Sequence, residues 1–91
     1  MSTKKPTSNR GLHRVVLQDD NHNTFDDVID SLMEVCGHGY LQSVQCATIT
    51  HSVGRCSIFE DSYDSCQSIH HRLMQCGLTV IVEKCEKKSS K

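Results

Sequence analysis

Tryptophan is absent from the 91 residues, which include only two Tyr, two Phe and a single Pro. So few large aromatic side chains exclude a bulky aromatic core and an aromatic platform for stacking bases. No apolar run approaches the ~20 residues needed to span a bilayer, so no membrane partner is expected. Lys4 and Lys5 are followed by no apolar stretch, so a secretory signal is not expected either. Bases are scarce in the middle of the chain: only Arg55 and Arg72 lie between Val15 and Glu83, against ten acids. That segment carries a formal charge of about −8, with basic ends. Nucleic acid is therefore an unlikely class of partner, since phosphate binding needs a basic face, whereas a cationic ligand or a basic surface suits this charge.

What is present fits one small domain. A chain of this size buries only about 60–65% of its unfolded surface, so the core is modest. Six cysteines fall almost every ten residues, at 36, 46, 56, 66, 76 and 85, but their flanking sequences do not repeat. They are read as reduced thiols of a cytoplasmic protein, several of them filling core positions.

The chain divides into a polar tail over residues 1–11, expected to be disordered, a folded core over 12–83, and a polar, basic tail over 84–91. Residues 12–18 alternate and are rich in β-branched side chains, as a strand is. Thr24 is a plausible N-cap, with Asp26 and Asp27 placed to complement the helix dipole. Phe25, Val28, Ile29, Leu32, Val35 and Cys36 recur at the spacing of one buried helical face, and Gly37 and Gly39 stop it. A second helix is expected over 40–53, with its apolar side at Leu41, Val44 and Thr48 together with Ala47, Ile49 and Val53; Gly54 terminates it. Residues 55–59 read as a strand with Cys56 and Ile58 on one face and Ser57 and Phe59 on the other. Asp61 or Ser62 caps a third helix over about 63–76, with Cys66, Ile69 and Leu73 inward, and residues 78–82 form the last strand. The order strand, helix, helix, strand, helix, strand makes a small two-layer sandwich, α/β or α+β. Pairing order and direction are not legible from the pattern.

The stretch from Val15 to Leu32, VVLQDDNHNTFDDVIDSL, organises the rest. Between a strand and a helix it sets Asp19, Asp20, Asn21, His22 and Asn23 in a row. Turn and capping roles account for such residues. The same oxygens can also bind a cation or grip an ammonium group. Calcium is disfavoured because the spacing, central Gly and terminal Glu of an EF-hand are missing. There is no CxxC or HExxH, so no zinc site is expected. No oxyanion loop is recognisable, so no catalytic residue is assigned and no cofactor is called for. His51, near the end of the second helix in TITHSVGR, has no role that spacing alone defines.

Taken together, these features resemble the ClpS family of adaptors, which deliver N-degron substrates to a Clp-type AAA+ unfoldase and its peptidase. The resemblance runs from Leu12 to Glu83. It rests on a strand ending VVL, an acidic Asn/Asp turn, NTFDDVIDSL, His51 with Gly54 three residues later, and Leu78 opening the last strand. It implies a three-stranded antiparallel sheet packed on helices. It also implies a non-enzymatic adaptor that binds a free N-terminal residue (Leu, Phe, Tyr or Trp) and docks on the N-domain of a ClpA- or ClpC-type unfoldase. Carried over by position, Asp19, Asp20, Asn21 and His51 bind the α-ammonium. Asn23, Thr24, Phe25, Val28, Ala47, Thr50 and Leu78 line the side-chain pocket. Ungapped alignment puts Asp19 where the family has Asn; a slip of one residue would put Gln18 there. Ala47 stands where many members have Met, and the extra room predicts tolerance of Ile or Val. The other function considered is a regulatory module that binds the unfoldase N-domain without reading N-degrons.

Overall fold

A computed structural model of the chain describes residues 12–85. The middle strand of its sheet is β1 (His13–Gln18). It pairs antiparallel with β2 (Arg55–Asp61) on one side and β3 (Val80–Lys84) on the other, giving the order β2-β1-β3. Alternation turns Val15 and Leu17 to the helices, where both join the core. Val16 points to the opposite face and is nevertheless fully buried, beside its partner Ile81.

The helices are α1 (Phe25–Ser31), α2 (Tyr40–Val53) and α3 (Tyr63–Gln75). The order is β-α-α-β-α-β, and the sheet is antiparallel, as expected. Thr24 caps α1 in a reciprocal box: Asp27 N–H donates to Thr24 Oγ1 at 3.0 Å, and Thr24 N–H donates to Asp27 Oδ2 at 3.4 Å. The helix continues past Ser31 as one wider π turn, Leu32–Cys36, closed by Gly37 in the left-handed conformation. That turn sets both Leu32 and Val35 into the core. Ser62 caps α3, and Cys66, Leu73 and half-buried Ile69 form its inner side.

Four local expectations are corrected. First, four of the α2 residues expected inside are exposed, Leu41 at 76%, Val53 at 72%, Thr48 and Ile49, while Ala47 is buried as expected and Val44 is half-buried. The buried face is Ser43, Cys46, Ala47 and Thr50. Apolar residues surround this helix on all sides, so periodicity could not orient it. Small side chains let it lie close to its neighbours. Second, β2 carries a bulge opposite Val15 and Val16, where Phe59 and Ser57 are the paired residues. The extra residue shifts the alternation, so Cys56, Ile58 and Phe59 all reach the core rather than lying on two faces. Third, β3 begins two residues later than the β-branched pattern suggests, at Val80, and runs on through Glu83 and Lys84, which pair with Arg14 and His13. Fourth, Phe25 is 46% exposed and stands outside the core.

Burial pushes the thiol of Cys36 up to about 11 and raises those of Cys46 and Cys66 as well. At neutral pH these sulfurs are protonated packing groups, as the composition suggested. The tail expected over residues 1–11 lies outside the described residues, as does 86–91.

Candidate functional site

The acidic corner is pinned from two directions. Gln18 N–H donates to Thr79 O at 2.8 Å, ahead of β3, and Asp19 N–H donates to Gly54 O at 3.0 Å, just past α2. The end of β1 therefore sits between the last turn of α2 and the loop that enters β3. Gly54 holds φ at 108°, and this turn brings α2 back beside the corner.

Within the corner the two aspartates do different work. The Asp20 carboxylate is only 13% exposed and is saturated with hydrogen bonds. Its Oδ1 accepts from the N–H groups of His22 and Asn23, at 3.2 and 3.1 Å. Its Oδ2 accepts from Asn23 Nδ2 and Thr79 Oγ1, both at 3.0 Å. Asn23 Nδ2 also donates to Gly77 O at 2.8 Å, so the corner is tied to the turn after α3. Partial burial works to raise the Asp20 carboxyl, but the bonds from Asn23, Thr79 and His22 outweigh it and hold the group below its ordinary value. Asp19 is the contrasting case. Its side chain is 44% exposed, and its Oδ1 stands 4.0 Å from Nδ1 of the largely exposed His51.

Beneath these groups is a cavity of about 360 Å³. Leu17, Val28, Ala47 and Thr50 form its inner wall, with Leu17, Ala47 and Thr50 all buried. Gln18, Asp19, Asp20, Asn23, Thr24, Phe25 and His51 complete the lining. No Lys or Arg is among the lining residues. The arrangement is an apolar shaft with an acidic and imidazole-bearing mouth, and the volume lies in the range of small-ligand sites.

Nine of the residues singled out in the sequence meet at this cavity: Asp19, Asp20, Asn23, Thr24, Phe25, Val28, Ala47, Thr50 and His51. Asn21 is exposed on the corner and outside the lining, and Leu78 is buried in the core behind it. Leu17 was not among the expected lining residues, and Gln18 had entered only as the alternative to Asp19. The alternation of β1, which turns Leu17 inward at the strand's end, was the available signal for the first. Among the described residues no group of three His, Cys, Asp or Glu side chains could hold a metal ion.

The family model for the ATP-dependent Clp protease adaptor protein ClpS matches residues 8–81. The chain belongs to the ClpS family. ClpS proteins are thus its kin, and an adaptor role in Clp-dependent proteolysis comes with the family. Among solved structures, the fold is similar to that of Agrobacterium tumefaciens ClpS2 bound to L-phenylalaninamide, with a TM-score of 0.79. The identity is 16%, over 81% of this chain and 96% of ClpS2, so the likeness is one of fold. No curated protein matches the chain.

Proposed function

We propose that this ClpS-family adaptor recognises the free N-terminal residue of its substrates in the cavity between the acidic corner and α2. The observation that supports this most is the pairing of an apolar shaft with an acidic mouth that has no basic residue on its wall. An N-terminal residue has the complementary shape and charge: an ammonium with three donors beside one side chain. L-Phenylalaninamide, the ligand of the Agrobacterium ClpS2 structure, is a molecule of this class.

In this reading Asp19 and His51 accept from the α-ammonium, as the exposed groups at the mouth. Asp20 adds negative charge, but its oxygens already hold the turn together. Asn21 stays peripheral. The first side chain lies against Val28, Ala47, Thr50 and Leu17, with Phe25 and Thr24 at the rim and Leu78 supporting the wall from behind. A charge-assisted hydrogen bond contributes roughly 1.5–3 kcal/mol. Burial of a Leu or Phe side chain contributes about the same. After the cost of association, the sum suits a reversible grip, which a delivering adaptor needs. The substrates are proteins beginning with Leu, Phe, Tyr or Trp. The docking partner is the N-domain of a ClpA- or ClpC-type unfoldase, and the setting is the cytoplasm.

Labelled peptides with free N-terminal Phe or Leu, titrated against their acetylated copies, test this directly. Binding lost on acetylation supports the reading. A chain that binds an unfoldase N-domain but neither peptide form would be the regulatory module instead.

A further inference from the structure

We propose that Thr50 makes the cavity discriminate among aromatic first residues, favouring those whose ring carries a hydrogen-bond donor, tyrosine and tryptophan, over phenylalanine. This inference rests on the reading of the cavity as the seat of an N-terminal residue. Thr50 is the most buried polar side chain on the cavity wall, at 5% exposed, and its wall neighbours Leu17, Val28 and Ala47 are all apolar. Its hydroxyl donates to Cys46 O at 2.7 Å. The one hydroxyl hydrogen is thereby committed, and Oγ1 is left with acceptor capacity alone. A phenol O–H or an indole N–H that enters a dry pocket loses its water and is penalised unless it finds an acceptor there. Thr50 Oγ1 supplies one. Of the other polar lining groups, the Asp20 oxygens already accept from Asn23, His22 and Thr79, and Gln18 and Asn23 are only half-buried, nearer the mouth than Thr50. Ala47, adjacent on the same face of α2, is small enough to leave room for rings larger than that of phenylalanine.

Ser43 provides a control. It lies further along the same buried face of α2, is fully buried, and its Oγ has no hydrogen-bond partner, yet it is not part of the cavity lining. If any buried hydroxyl on this helix sufficed, Ser43 would serve as well as Thr50.

The experiment measures the affinity of the full chain for four peptides that differ only in a free N-terminal Phe, Leu, Tyr or Trp. Thr50→Val, which keeps the shape and removes the oxygen, should weaken Tyr or Trp by about threefold to tenfold, the size of one neutral hydrogen bond. Phe and Leu should stay within about twofold. Thr50→Ser should keep the donor preference, and Ser43→Ala should leave all four affinities in their original order. A uniform loss in Thr50→Val, or no loss for both Tyr and Trp, overturns the assignment, as does a Ser43→Ala variant that removes the preference. If Phe and Leu bind and their acetylated copies do not, such a result overturns the role of Thr50 alone. If none of the four peptides binds the unaltered chain, the N-terminal-residue reading fails and this inference fails with it.

Discussion

The two adjacent aspartates of the corner show how identical side chains part company once folded. Asp20 has four hydrogen bonds and little exposure, whereas Asp19 faces solvent and His51. The charge available to an incoming ammonium is therefore mainly that of Asp19. Asp19→Asn should weaken binding of a free-amino peptide by roughly twofold to fivefold, as for a half-exposed, screened ion pair. The salt dependence of binding, read by titration at two ionic strengths, should become shallower in that variant. His51 stands 4.0 Å from Asp19 at the same mouth, so His51→Ala should weaken binding of the same free-amino peptide by roughly threefold to tenfold, the size of one hydrogen bond, while its acetylated copy is unaffected. Ala47 is the third such residue. Its small side chain leaves width for a branched Cβ, so peptides beginning with Ile or Val should bind nearly as well as Leu. Ala47→Met should restore a preference for Leu, and an unchanged Ile-to-Leu ratio would refute the idea.

At the scale of elements, the end of α2 controls the site more than its middle does. Gly54 carries φ of 108°, and its carbonyl accepts from Asp19 N–H. A Cβ there would meet no neighbour, so the cost of a larger residue is backbone strain alone. Gly54→Ala should destabilise the fold by about 1–2 kcal/mol in a urea titration. It should also reduce peptide affinity, because the same turn sets the distance between His51 and the corner. The Thr24 box matters in the same way for α1: it fixes where the helix starts, and hence where Phe25 and Val28 stand. The boundaries of these helices were legible because caps and glycines are local chemistry. The outward face of α2 was not legible, because its apolar residues have no preferred side and packing against α1 and β2 decides which side is buried.

Across the whole molecule, Asp20 joins parts of the chain far apart in sequence. Its bond to Thr79 spans 59 positions, and Asn23 reaches Gly77 across 54. Loss of the carboxylate should therefore appear in global unfolding. Asp20→Asn should lower stability at pH ~7 by roughly 1–3 kcal/mol, the cost of leaving buried donors unmatched. Because the folded group is held below its ordinary value of 3.8, its contribution is fully present above that pH. It is lost as pH falls from 3.8 through the lower folded value. Urea titrations at neutral and strongly acidic pH should show the gap between the two proteins narrowing in acid. The bulge in β2 is another property of the whole sheet. Its extra residue lets Phe59, Ile58 and Cys56 all reach the core, which strict alternation would forbid.

Spacing, backbone preference and side-chain chemistry within a few residues were enough for the element order, the positions of the caps and terminators and the acidic corner. The residues named around the cavity came instead from the resemblance to the ClpS family, carried over by position. Tertiary structure alone decided which of two neighbouring aspartates is free, which face of α2 is buried, and that Leu17 rather than Leu78 reaches the cavity wall. Each of these depends on partners tens of residues away, and no local pattern records which partner will arrive.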